Sequence, residues 1–168
     1  MADKATITMG LAKIEVGPLS GDGGVSTAFA TLGYTDSDSC EISVDDPEET
    51  EVTAEEVDDP IYVLRKAGKT TVTFNVLNPS MAVLKQICGG TVTELGAYEL
   101  PDALPQIELS VKITPQVGFV ATYPRVSIVG KLSGKYAKSE PLKLAVTGTV
   151  LVPTKSGTKK ATYTPLAE

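Results

Sequence analysis

The sequence predicts a mainly β, antiparallel domain of sandwich type with one short α-helix at about 79–88. Three observations carry this. Apolar and polar residues alternate with period two over three stretches, the pattern of a strand with one buried face. Fifteen glycines and 11 prolines, with only 5% aromatic residues, break the chain into short strands joined by turns. A single window departs from period two to a helical spacing. The 168 residues amount to one domain, and a compact domain of that size buries roughly 70% of its unfolded surface, enough to fold without a metal or a disulfide.

Taken in order, weaker strands are predicted at 5–9 (Ile7, Met9), 12–16 (Ala12, Ile14, Val16), 26–32, 39–45 (Cys40, Ile42, Val44), 49–54 and 61–65 (Ile61, Val63). The first clear strand is 71–77, where Val72, Phe74 and Val76 alternate with Thr71, Thr73 and Asn75. The helical window follows. Met81, Leu84, Ile87 and Cys88 fall on one helical stripe, with Asn78 suited to the N-cap, Pro79 to the first helical position and Gly89-Gly90 to a left-handed C-cap. That stripe should close the open side of the sandwich. Two more clear strands are 106–114, alternating without error through Ile107, Leu109, Val111 and Ile113, and 142–152, where Gly148 permits a bulge or a close backbone approach. Strands at 119–129 and 158–163 complete the set. Turn chemistry separates these elements at Gly17-Pro18, Gly21-Asp22-Gly23-Gly24, Asp46-Pro47, Asp59-Pro60, Ala67-Gly68 and Ser133-Gly134. No internal repeat and no linker long enough for a second domain interrupt the chain, so 1–168 reads as one domain.

Charge is segregated. The net charge is −6, yet residues 36–59 hold twelve acids and no base, while 125–160 hold eight bases against Glu140 alone. The acidic stretch at about 45–60, punctuated by two Asp-Pro pairs, reads as a projecting hairpin or a mobile loop. Its unpaired carboxylates repel one another, which predicts a poorly ordered arm in an isolated subunit. An acidic balance also argues against nonspecific attachment to nucleic acid or anionic lipid.

The chemistry available is narrow. With no histidine and no tryptophan, His-based triads and dyads, His-ligated zinc and the commonest general base near neutrality are absent. Asp36-Ser37-Asp38-Ser39-Cys40-Glu41 alternates oxygen ligands like a calcium loop, but it lacks that loop's glycine and its final glutamate. Gly21-Asp22-Gly23-Gly24 lacks the Gly-Lys-Ser/Thr and following helix of a phosphate loop. Cys88, at a helix C-terminus with no base to activate it, reads as a core thiol. The acidic run offers carboxylate pairs without an apolar cleft or aromatic platform for sugars. No catalytic, cofactor or metal site is expected, and the protein is not expected to be an enzyme. Met1–Gly10 has no continuous apolar stretch of the signal-peptide kind, and no run approaches the roughly 18 residues of a membrane span. With synthesis inside the cell expected, Cys40 and Cys88 should remain free, buried thiols.

The layout of residues 28–152 resembles a bacteriophage major tail protein, the subunit of the tail tube. Gly33-Tyr34-Thr35-Asp36 leads into Glu41-Ile42-Ser43-Val44; an acidic stretch runs to Asp59-Pro60. The strand from Lys69 to Leu77, the short helix and Cys88-Gly89-Gly90 follow. The resemblance implies a β-sandwich or half-barrel flanked by a helix, and hexameric rings stacked into a conduit for DNA. It further implies contacts with other tail proteins, no specific DNA binding, no membrane, and a place in the virion tail after synthesis in the bacterial cytoplasm. The needle tube of type VI secretion shares that fold, and a stand-alone β-sandwich binding module is the alternative from another class. Oppositely charged segments suit a heterologous interface, in which one patch meets a different patch on the neighbour. The expected subunit contacts are Asp45, Asp46, Glu48, Glu49, Glu51, Glu55, Glu56, Asp58 and Asp59 on one copy and Lys131, Lys135, Lys138 and Lys143 on the next.

Overall fold

The computed structural model describes residues 6–167. It contains twelve strands and one helix in the order β1 (Lys13–Pro18), β2 (Ala30–Thr31), β3 (Glu41–Val44), β4 (Glu48–Ala54), β5 (Val57–Lys66), β6 (Thr70–Val76), α1 (Met81–Cys88), β7 (Thr91–Val92), β8 (Tyr98–Glu99), β9 (Ile107–Thr114), β10 (Phe119–Ser133), β11 (Lys143–Val150) and β12 (Thr162–Pro165). Eight strands form one antiparallel sheet in the order β2-β1-β9-β10-β11-β6-β3, with β12 added beside β10. The mainly β, antiparallel, sandwich-like fold with one helix is as the sequence predicts.

β10 organises the fold. Its 15 residues change neighbours midway: Phe119–Thr122 pair with β12, whereas Val126–Ser133 pair with β11. On its other edge the register with β9 shifts between Tyr123 and Val126, a bulge around the buried Pro124 that bends the strand. The sheet therefore turns over on itself. Ile14 and Val16 from β1, Val111 from β9, Val72 and Val76 from β6 and Leu144 and Val146 from β11 meet in one core. Tyr123, fully buried, sets its hydroxyl 3.4 Å from that of Tyr163. Burial pushes its ionisation up, so it is a neutral packing group.

The helix lies where the sequence predicts and buries Leu84 and Ile87, but it begins later. Ser80, in extended backbone, is the N-cap and accepts from the Val83 amide at 3.2 Å. Asn78 instead uses its side-chain oxygen to accept from the Tyr34 amide, 2.6 Å away, so Pro79 lies outside the helix. Gly89, with φ of 75°, closes the C-terminus by donating to the Lys85 carbonyl. The helix packs on β10 at Gly130, where a Cβ would stand 2.4 Å from Ile87.

Other boundaries move for local reasons. The strand expected at 26–32 shrinks to Ala30–Thr31, because Ser26 is buried and its amide donates to Ser110 Oγ, while the Ala28 amide donates to Ser26 Oγ. Side-chain bonds replace the ladder there. The strand expected at 5–9, whose first residue lies outside the described residues, is reduced to a bridge between Met9 and Val117. The last strand forms at 162–165 instead of 158–163. Gly148 serves a close approach, its missing Cβ leaving room for Val126 at 2.6 Å, and the ladder past it is unbroken. Cys40 and Cys88 are free and partly buried. Among the described residues no helix is long and apolar enough to cross a membrane.

Candidate assembly surface

The acidic segment is a hairpin, the first of the two forms expected for it. β3 and β6 pair at the sheet edge, from Glu41 opposite Thr73 to Val44 opposite Thr70. The same two chain segments then continue beyond the sheet as β4 and β5, paired from Glu48 opposite Lys66 to Val52 opposite Tyr62. The long ribbon is interrupted at its root by Asp46-Pro47 on one strand and Gly68 on the other. A Cβ on Gly68 would fall 1.8 Å from the Asp45 carbonyl oxygen, so the two segments cross there only because the residue is glycine. Beyond this root β4 and β5 form a two-stranded sheet of their own, every residue exposed except the half-buried Ala54.

The hairpin also holds charges the acidic count leaves out. Arg65 Nε lies 2.6 Å from Glu49 and Lys66 Nζ 3.5 Å from Glu48, closing the hairpin near its root. Glu51 stands opposite Val63, Glu55 and Glu56 form the tip, and Asp58 and Asp59 follow on β5. Asp45 is held at the root by its amide bond to the Lys69 carbonyl, with Asp46 beside it. The arm therefore presents a carboxylate-rich tip on a compensated stem.

The four lysines separate into two roles. Lys131 lies on exposed β10 surface, and Lys135 and Lys138 occupy the exposed connection between β10 and β11. Lys143 is engaged inside the subunit, its Nζ 2.6 Å from Asp36 Oδ2. That hydrogen bond raises its ionisation above the usual lysine range. It also takes Asp36 out of the calcium-loop pattern. Among the described residues no three His, Cys, Asp or Glu side chains gather into a metal-holding group.

Register places the charged groups apart. β6 starts at Thr70, beside the arm's root, and ends at Val76, opposite Leu144; β11 runs back the other way. Leu132 and Ser133 of β10 pair with Leu144 and Lys143, so the lysine-bearing connection and α1 lie at the end of these strands opposite the arm. At that far end a groove of about 410 Å³ opens between α1 and the 100–105 segment, lined by Leu84, Cys88, Tyr98, Leu100, Leu104 and Lys131 among others. Leu100 and Leu104 are 73% and 77% exposed. Burial pushes the Cys88 thiol up.

Sequence reasoning missed this groove and the arm's apolar face. Val52, Tyr62 and Leu64 share one side of the hairpin and stand 47%, 60% and 58% exposed. The uninterrupted run Ile61-Tyr62-Val63-Leu64 was the available signal, since a strand apolar on both faces seeks cover on both. A second opening of about 930 Å³, lined by Leu11, Tyr34, Asp36, Cys40, Phe119 and Tyr163 among others, lies at the open edge of the folded sheet.

Two ion pairs outside the arm set the response to acid. Arg125 donates through Nε and Nη2 to both oxygens of Glu108 at 2.9 Å and through Nη1 to the Val152 carbonyl, so its guanidinium holds the Glu108 carboxyl below the usual range. Lys155, 2.6 Å from Asp22, does the same across the 20–24 turn. A depressed carboxyl contributes stability above its unfolded pKa and loses it as pH falls through the folded one. The melting temperature should hold from neutrality to about pH 5 and decline below, with Glu108→Gln flattening part of that decline. Acid limbs of equal slope in parent and variant would show that the Arg125 pair contributes nothing.

Compared with known proteins, the chain matches no family model and no curated sequence.

Proposed function

We propose that this chain is a structural subunit that self-assembles into rings stacked as a phage or prophage-derived tail tube, a conduit for DNA. The observation that carries the reading is the detached hairpin: an acid-tipped arm with an apolar face, built onto one end of a sandwich whose other end bears the exposed Lys131, Lys135 and Lys138. A two-stranded hairpin in water is marginal by itself, and its exposed apolar side chains call for a neighbour. Acid at one end and base at the other favour head-to-tail contact over pairing of like patches, and head-to-tail contacts generate rings or stacks. The acidic balance suits a lumen through which DNA passes without being held. The predicted helix and antiparallel sandwich support the same reading, which places the protein in the virion tail with other tail proteins as partners. The 930 Å³ opening favours a second reading, a stand-alone binding module, which requires a monomer.

Assembly followed by light scattering across a salt series tests the proposal. Lys135→Glu with Lys138→Glu should slow growth, and added salt should slow the parent, because rim pairs are screened over a Debye length near ~8 Å. The melting temperature should stay unchanged, since both lysines are exposed. A parent that scatters as a monomer at every concentration would overturn the proposal. Growth indifferent to salt and to charge reversal would remove the electrostatic part.

A further inference from the structure

We infer that the apolar face of the 48–66 hairpin docks, in a second copy of the chain, into the groove between α1 and the 100–105 segment. The inference rests on the self-assembly reading above and names its contact. The two surfaces share their chemistry: Val52, Tyr62 and Leu64 stand exposed on the arm, and Leu100 and Leu104 stand exposed on the groove. Apolar area left in water on both sides is the main source of association energy, with aromatic anchors the largest contributors. At about 410 Å³ the groove falls in the size range of pockets that enclose a drug-sized ligand, and Tyr62 is the arm's aromatic anchor.

Charge selects the occupant. The arm's tip carries Glu55, Glu56 and Asp58, while Lys131 lines the groove and Lys135 and Lys138 follow it in the chain, with Asp102 the one acid in the lining. A complementary rim around an apolar centre sets orientation and speeds encounter. Register then decides between self and neighbour. The arm's root lies at the Thr70 end of β6 and the groove at the Val76 end, so an arm projecting away from the sheet meets the groove of another copy, and each copy keeps one free arm and one free groove for continued growth.

Cross-linking tests this on the full chain. Val52→Cys on one copy and Leu104→Cys on another, both in a background with Cys40→Ser and Cys88→Ser because the free Cys88 lines the groove, are checked for an unchanged melting curve, mixed and treated with a short bis-maleimide. A cross-linked dimer should form in the mixture and not with either variant alone. In parallel, Tyr62→Ala and Leu104→Glu, both exposed and each checked for an unchanged melting curve, should each lower the assembly rate at least tenfold. Cross-linking of Val52→Cys alone would show that arms pair with arms and overturn the inference. So would tubes forming at parental rates from both Tyr62→Ala and Leu104→Glu without a mixed cross-link, which leaves self-assembly standing. A parent that never associates overturns both.

Discussion

Leu84→Asp should lower the melting temperature by about 10 °C or more, and Ile87→Asp should do at least as much. Leu84 is 5% exposed and Ile87 1%, and both project from α1 onto the sheet, with Ile87 against Gly130. Losing such a side chain costs about 2–5 kcal/mol, and a carboxylate in its place must be desolvated or protonated at further cost. Spread over a domain of this length, each kcal/mol moves the midpoint by roughly 2–4 °C. Thermal melts followed by far-ultraviolet circular dichroism measure the shift. A variant melting within a degree or two of the parent would mean that the helix does not close the core.

Removing the arm should have the opposite profile. Replacing residues 48–66 by a short Gly-Asn turn leaves the β3–β6 pairing to close as an ordinary hairpin. Because β4 and β5 bond to no other strand and bury nothing of the core, the melting temperature should stay within a degree or two of the parent. Assembly should be lost, because the arm carries both the apolar face and seven of the twelve acids of the 36–59 stretch. Sedimentation velocity on the deleted and parent chains reads both effects together. Tubes from the deleted chain would mean that sheet edges or the 930 Å³ opening build the oligomer.

Much of the architecture was legible because one-sided burial imposes a period. β6 shows this most plainly: Val72, Phe74 and Val76 are buried while Thr71, Thr73 and Asn75 between them are only half-buried. On β9 the same alternation holds for the apolar residues, but Ser110 between Leu109 and Val111 is buried too, where it accepts from the Ser26 amide. The helix was legible from its stripe and its C-terminal glycine. Its N-cap was misplaced because Asn78 and Ser80 are both good caps, and a distant demand decided between them, the Tyr34 amide taking Asn78. β7 and β8, at two residues each, are too short to show any period. The acidic segment was placed correctly but judged by its own charges. Arg65 and Lys66 reach Glu49 and Glu48 only once the strands pair. Lys143 was likewise assigned outward, although Asp36, 107 positions away, holds it within the subunit. The groove lay beyond reach because it joins α1, the 100–105 segment and β10, whose meeting depends on the whole fold.

The central claim is that this chain builds a tube from copies of itself. Negative-stain electron microscopy of the concentrated parent protein at low salt tests it most directly. Rings of uniform diameter with an open centre, or stacks of such rings, are the expected result. Single particles the size of one subunit, unchanged at the highest concentration and lowest salt, would contradict it.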